Sequence, residues 1–597
     1  MGRIAVLDSG GQYCHLIARK IREIGFFAEI LPIGTDPARL QGYSGLVLSG
    51  GPCSVFDPQS PQPAPGLFEL GRPVLGICYG HQLIASHLGG SVERGSSNEF
   101  GSALLRIRRA AGLFEGLDVD QRVWMSHGDH VARTPPGFGV LASTQECEVA
   151  AMGDRTRQIF GLQFHPEVVH TPNGSQMLQN FLVGACGSEP DWRPGDRIEE
   201  LLGGIRDQVG PRRVLLFLSG GVDSTVAYAL LVRALGQDKV EAVYVDTGFM
   251  RERETAQIRS AFGSLGLGSL RVVRAADLFL GRLSGVVDPE AKRAIIGQAF
   301  VDVQAGILAD RKYGTQDWLL GQGTIYPDTI ESGGTTAADV IKTHHNRVPR
   351  IQQMLAEGRV VEPLTEFYKD EVRAVGRALG LPSQLVDRHP FPGPGLAIRC
   401  LCSASSAVPV RDAGIDAAAQ RNGYSAVLLP LRSVGVQGDS RSYAGLTVVY
   451  GGRFDFGRLL PLSTAITNEH RQTNRVAALV APHGADPSRW KIVPAGLDAR
   501  RVRLLQRADR IVRRYLRDEG LYGEVWQCPV VLLPWGRDGG ETVGLRPVVS
   551  VDGMTASVAE LPLPGLRDLA GRLIRIGGID GVVYDVSHKP PSTIEWE

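Results

Sequence analysis

A chain of 597 residues is too long for one hydrophobic core, and 43% hydrophobic with 21% charged residues is the composition of an ordinary globular protein of three or four domains. With 64 Lys and Arg against 63 Asp and Glu, no global field draws in nucleic acid or an anionic membrane, so anionic ligands must be held by local sites. Eight cysteines without a framework of spacings, no charged and apolar leader at the N-terminus and no apolar run of membrane length set the expectation of a cytoplasmic protein, and Cys400 and Cys402 lack the neighbours of a metal site.

Short apolar runs alternate with amphipathic helical stretches to about residue 400, the pattern of parallel α/β sheets. Buried strands are expected at Arg3–Leu7, Gly45–Leu48 and Val74–Ile77, with a helix from Tyr79. The cluster of Gly, Ser, Pro and Asp at Gly187–Asp196, around Trp192, reads as a linker. A second sheet is expected from Arg213–Leu218, Val240–Asp246, Arg271–Arg274 and Trp318–Gly321. Beyond the Pro/Gly-rich stretch Phe391–Leu396 the pattern becomes α+β and echoes itself. Tyr424–Pro430 (YSAVLLP) resembles Cys528–Pro534 (CPVVLLP), and Asn474–Val480 resembles Asp580–Val586. Chance recurrence of Val/Leu runs is the plainer explanation, but the repeated order of helix and strand favours a duplicated lobe. The expected division is 1–190, 195–395, 396–495 and 496–597.

Gly76-Ile77-Cys78-Tyr79-Gly80 places a cysteine in a small-residue turn between a strand and a helix, the geometry of a nucleophile elbow. Backbone N–H groups at the helix start can stabilise a thiolate and an oxyanion. The Ser49-Gly50-Gly51-Pro52 turn offers a second donor. A thiolate needs a base held by a third group, and Phe164-His165-Pro166-Glu167 sets His165 and Glu167 two apart, on one side of an extended segment. A buried cysteine alone is usually structural; elbow, glycine turn and the His-Pro-Glu sequence together reverse that.

GICYGHQ at Gly76–Gln82, FHPEV at Phe164–Val168 and SHGD at Ser126–Asp129 resemble the class I glutamine amidotransferases. The resemblance covers about residues 1–190. It implies Cys78 as nucleophile, His165 as general base and acid, Glu167 as the group orienting it, and Gly51 and Tyr79 as oxyanion donors. His81, His87, His127 and His130 read as structural or surface histidines.

Ser219-Gly220-Gly221-Val222-Asp223-Ser224-Thr225 follows a strand and precedes a helix expected near Val226. Glycines let backbone N–H groups approach an anion, and the helix N-terminus adds a favourable dipole. No Walker lysine pattern is present. SGGVDS resembles the PP-loop of the N-type ATP pyrophosphatases, which cleave ATP to AMP and pyrophosphate. That resemblance implies ATP and Mg²⁺ as cofactors. Ser219, Gly220, Gly221, Val222, Asp223, Ser224 and Thr225 would lie at the phosphates, Asp223 also at the metal, with Val245, Gln322 and Lys369 completing the ATP site. Thr247 stands where many relatives carry Asn.

Gln322–Asp328, Ile341–Asn346 (with Lys342), Phe367–Glu371 and Arg388–Leu396 (RHPFPGPGL) resemble the glutamine-hydrolysing GMP synthetases, as does the tail Lys589-Pro590-Pro591…Ile594-Glu595-Trp596-Glu597. This resemblance implies amination of xanthosine monophosphate, with Asp439, Gln527, Lys589 and Glu595 as acceptor contacts. Two alternatives are another PP-loop amidotransferase with a different acceptor, and a catalytically silent nucleotide-binding regulator. The tail and RHPFPGPGL speak against the first, the intact motifs against the second. Val434–Tyr443 occurs only in the first lobe and Gln527 and Lys589 only in the second, so a monomer is expected, with a homodimer as the alternative.

Overall fold

The computed structural model describes residues 2–11, 13–110, 112–268, 270–331, 349–437, 440–537, 539–550 and 555–597. Lys342 and Asp439 lie outside them. The chain forms two compact units, Met1–Asp196 and Arg197–Glu597.

The first unit is built on nine strands: β1 Arg3–Asp8, β2 Phe27–Pro32, β3 Gly45–Leu48, β4 Val74–Ile77, β5 Ser91–Ile107, β6 Asp120–Arg133, β7 Gly139–Ser143, β8 Ala151–Asp154 and β9 Ile159–Leu162. They form one sheet in the order β2-β1-β3-β4-β9-β8-β7-β5-β6. Pairing is parallel from β2 to β9 and antiparallel beyond it. The parallel strands are continuous apolar runs because both faces are covered; β3 and β4 are buried throughout. Trp192 is no linker residue. It is 3% exposed, its ring lies 4.7 Å from Phe27, and its N–H donates to Gly25 O at 2.8 Å. Trp192→Ala is expected to destabilise this unit by about 3–5 kcal/mol, the cost of an emptied aromatic site. Hydrogen exchange at β1 and β2 in dilute urea, faster than in the parent, would register it.

In the second unit β10 Arg213–Leu218, β11 Val240–Asp246, β12 Leu270–Arg274, β13 Trp318–Gly321 and β14 Val360–Val361 make a parallel sheet, ordered β12-β11-β10-β13-β14. The connection leaves β10 on one side to β11 and returns on the other to β13. The loop after β10 therefore sits at the topological switch point, where such sheets bind ligands. The helix after it starts at Val222, four residues before the expected Val226, because Gly221 already has the extended N-cap conformation.

The rest of this unit carries β15 Ser425–Gln437, β16 Ser440–Tyr450, β17 Thr473–Ala481, β18 Lys491–Ile492, β19 Val530–Leu533, β20 Trp535–Gly536, β21 Glu541–Leu545, β22 Val548–Val549, β23 Ser557–Val558 and β24 Ile579–Asp585. Strands β18 and β20 form a ribbon, as do β22 and β23. The others make a six-stranded sheet ordered β15-β16-β17-β24-β21-β19. Read inward from either edge the pairing is antiparallel, then parallel, and the halves meet at the antiparallel β17·β24 pair. Counting only the strands of that sheet, a helix–strand–strand–helix–strand order occurs twice, with helices Ala413–Arg421 and Phe456–Glu469, then Ala499–Asp518 and Leu563–Ile574. The two segments do not have separate cores. One apolar cluster joins Phe249, Phe279 and Leu396 to Ile466, Leu505, Val512 and Leu573.

Candidate functional site

In the first unit the parallel neighbours β3, β4 and β9 end side by side, and each delivers one part of a site. The turn Ser49–Gly51 follows β3, Cys78 follows β4, and Gln163–Glu167 follows β9. Cys78 has φ 52° and ψ −104°, a strained conformation for a residue with a side chain. The flanking glycines are required by space: a Cβ on Gly76 would lie 2.4 Å from Gly80 O, and one on Gly80 2.4 Å from Leu48 O. A Cβ on Gly50 would meet His165 Cε1 at 3.1 Å and Cys78 Cβ at 3.4 Å, so the glycine turn presses on both. Tyr79 opens the helix Tyr79–His87, whose first N–H groups have no partner within the helix. Gly51 packs against the first residue of that helix, for its Cβ would come 3.3 Å from Tyr79 Cδ1.

His165 Nδ1 lies 2.6 Å from Glu167 Oε1, and both side chains are buried. Burial alone would lower the imidazole's pKa; the Glu167 carboxylate and the hydrogen bond with the Cys78 thiol outweigh it and hold it well above the usual value. A raised pKa makes the ring a stronger proton acceptor toward the thiol. Tyr13 packs edge-on against His165 at 5.0 Å, and Gln163 Nε2 reaches Cys78 Sγ at 3.8 Å; neither was visible in the sequence motifs. His81 stays out of the chemistry: it is buried, bonds Val149 O at 3.1 Å, and burial pushes its pKa down to about 3. His127 bonds Glu99 at 3.2 Å.

In the second unit the ends of β10, β11 and β13 converge in the same way. Gly220 takes φ 77°, open to glycine without strain. Ser219 Oγ lies 3.1 Å from Ser224 Oγ and accepts the Gly221 N–H at 3.2 Å, while Thr225 Oγ1 donates to Gly221 O at 2.8 Å. These bonds shape the loop and leave Val222 to begin the helix. Val245 is buried near the end of β11, and Thr247 Oγ1 accepts the Phe249 N–H at 3.2 Å, performing the turn that an Asn would. Gln322 extends β13, its N–H donating to Val361 O at 3.0 Å. Gly323 presses on the loop, for its Cβ would lie 3.0 Å from Ser224 N.

Lys369 Nζ is 3.5 Å from Asp223 Oδ2. Burial raises the Asp223 pKa; Lys369 pulls it down and Asp328 pushes it up again. Asp223 Oδ1 is buried with no hydrogen-bond partner. An orphaned carboxylate oxygen is of the chemistry that a hard divalent cation takes, and Asp328 is the other acid whose charge reaches Asp223.

Sequence reasoning gave RHPFPGPGL no individual roles, and here the structure adds most. Arg388 donates to Gly220 O and pairs with Glu254, tying this segment to the phosphate loop. His389 stacks on Tyr522 at 3.8 Å, and burial lowers its pKa to about 4. Pro390 O accepts from Gln527 Nε2 at 3.1 Å, and the same amide donates to Glu595 Oε1 at 3.1 Å. Arg399, unnoticed in the sequence, grips both Glu595 oxygens at 2.9 and 2.6 Å. The loop after β10 and the tail thus join through residues 388–390. Lys589 belongs to that tail, anchored by paired backbone bonds with Ala556.

Three family profiles match the chain: Glutamine amidotransferase class-I over residues 5–185, NAD synthase over 196–272, and GMP synthase C terminal domain over 514–596. Among relatives, a protein named probable GMP synthase (glutamine-hydrolyzing) from Leptospira interrogans is 42% identical over 602 residues, covering 100% of this chain and 99% of its own. GMP synthases (glutamine-hydrolyzing) from Thermobifida fusca and Aquifex aeolicus are each 38% identical over 100% of this chain, and over 98% and 99% of their own lengths.

Proposed function

The chain belongs to the glutamine-hydrolysing GMP synthase family, and from that membership we propose how its residues divide the work. The enzyme is a ligase that makes GMP by ATP-driven, glutamine-dependent amination of xanthosine monophosphate. The observation that carries the first half is the buried His165–Glu167 pair set against a strained cysteine. His165 takes the Cys78 proton as sulfur attacks the side-chain amide carbon of glutamine. The N–H groups of Gly51 and Tyr79 hold the oxyanion. The proton passes to the departing nitrogen, ammonia leaves, and a γ-glutamyl thioester remains. Water attacks the thioester with His165 again as base, releasing glutamate and restoring the thiol.

In the second unit the acceptor's C2 oxygen attacks the α-phosphorus of ATP, and the bond to the β-phosphate oxygen breaks, releasing pyrophosphate. Ammonia then attacks C2 and AMP departs with the oxygen. Residues Ser219–Thr225 cradle the phosphates with Gln322 and Lys369, and Val245 borders the adenosine. Asp223, with Asp328, would hold Mg²⁺, which supplies charge neutralisation at the departing phosphates. Gln527, Lys589 and Glu595 bind the acceptor; Arg399 orients Glu595. The eight unpaired cysteines, and the lack among described residues of a helix able to cross a membrane, support a cytoplasmic setting.

The repeated helix–strand order supports a duplicated lobe and an enzyme that works as a monomer. The β15–β16 hairpin is much longer than β19–β21, and its extra length lies on the tail. Val434 N–H donates to Trp596 O at 2.9 Å and Val436 N–H to Pro591 O at 2.7 Å. The hairpin that leads to Asp439 therefore lies over the acceptor tail of the same chain. Each sheet edge also carries a short bridge within the chain, β15 with Val410 and β19 with Cys400–Leu401. Specific activity is expected to stay constant across a dilution series in which light scattering reports one chain. Activity that falls in step with a dimer-to-monomer transition would restore the homodimer.

A further inference from the structure

The tail carries two carboxylates two positions apart, Glu595 and Glu597, and each meets a buried cation. Glu595 meets Arg399. Glu597, 2% exposed, meets Lys292, which is fully buried on the helix Pro289–Leu308 packed beside the parallel sheet. Lys292 Nζ donates to Glu597 Oε2 at 2.5 Å and to Cys400 O at 2.9 Å, and Arg293 donates to Glu597 O. Trp596, between the two acids, is buried in the apolar layer on the far face of the six-stranded sheet, with Arg475 4.8 Å from its ring. Adjacent residues 399 and 400 thus hold the two acids, one through its guanidinium and the other through the carbonyl that shares Lys292.

We propose that Lys292 is a positioning residue for the nucleotide acceptor: through Glu597 it fixes the tail that carries Glu595 and Lys589. A buried ammonium with two oxygen partners is an expensive way to gain stability, since apolar replacements often serve as well. Its geometry does something an apolar contact could not, namely set the tail's position along the chain direction by a directed bond. The helix bearing Lys292 also packs through Ile296 and Ala299 into the cluster that contains Val245 and Phe249, at the end of β11. Tail placement is therefore referred to the same frame as the ATP loop. Burial raises the Glu597 carboxyl to about 7 even with Lys292 pulling it down, so Lys292 is the nearest group that favours its charged form.

This inference rests on the reading of Lys589 and Glu595 as acceptor contacts, and its test separates the two. Full-length enzyme is assayed with ammonium as nitrogen source, so that only the second unit's reaction is read. Lys292→Met is expected to raise the acceptor KM about tenfold or more, with the ATP KM and glutaminase activity within about twofold of the parent. Glu597→Gln, whose amide oxygen still accepts from Lys292, is expected to keep the acceptor KM within about threefold. If Lys292→Met is not recovered folded, Glu597→Asp, which withdraws the charge by one methylene, takes its place with an expected acceptor-selective rise of about threefold to tenfold. A folded variant that loses thermal stability while its acceptor KM stays unchanged overturns the inference. Lys589→Ala is the control: if it raises the acceptor KM and Lys292→Met does not, only the positioning role fails, and if Lys589→Ala has no effect, the acceptor reading itself fails.

Discussion

Cys78→Ala is expected to reduce glutamine-dependent GMP synthesis by on the order of 10⁴-fold or more, while synthesis from added ammonium stays within about twofold of the parent. Magnitude and selectivity have separate causes. The thiol forms the bond to the glutamyl carbon, and nothing in its surroundings substitutes for it. Gln163 is a neutral amide, and the Ser126 contact to Sγ at 3.7 Å is made by a backbone carbonyl. Selectivity follows from the separation into two compact units, with all named amidotransferase residues in Met1–Asp196 and all named ATP and acceptor residues in Arg197–Glu597. The second reaction consumes ammonia whatever its source. Steady-state assays with glutamine and with ammonium, on a variant shown to be folded by circular dichroism, provide the comparison. Loss of both activities would mean that the two sites are not separable.

Asp223→Asn has the second-largest expected effect. Asparagine keeps the shape but removes the charge from a carboxylate whose Oδ1 is buried without a partner. It also leaves Lys369, 3.5 Å away, facing a neutral amide. ATP-dependent amination is expected to fall by about 10²- to 10³-fold, because the carboxylate would hold the cation that neutralises the departing phosphates. The Mg²⁺ concentration needed for half-maximal rate is expected to rise, and glutaminase activity to remain. Nucleotide products resolved by chromatography should be AMP with pyrophosphate in both parent and variant. ADP as the stoichiometric product would contradict a loop that holds the departing β- and γ-phosphates, and an unchanged Mg²⁺ requirement would remove Asp223 from the metal.

What the sequence determined by itself is whatever is decided within one strand, turn and helix. Strands β3, β4, β10, β11 and β13 fall at the residues expected from their apolar runs, because a strand buried on both faces needs an unbroken run and ends at the first turn residue. The elbow around Cys78 and the loop around Gly220 are legible for the same local reason. Gly76 answers to the nearby Gly80 O and Gly220 to its own φ, though Gly80 answers to the distant Leu48 O; His165 and Glu167 are two apart, and they meet across a bend and turn after β9 rather than on the extended segment expected. Only the tertiary structure could decide which strand ends lie side by side, and so which motifs share a site. Arg388 on Gly220 O, 168 residues away, and Arg399 on Glu595, 196 residues away, carry no local signature, since an arginine reads alike whether it is solvated or buried against a distant acid. Trp192 was misplaced for that reason too: its polar neighbours speak for a linker, and only the fold brings Phe27 and Gly25 against its ring and backbone. The echo between the two C-terminal segments was visible as letters, but their meeting at β17·β24 in one sheet, over one core, is a matter of long-range pairing that only the assembled chain settles.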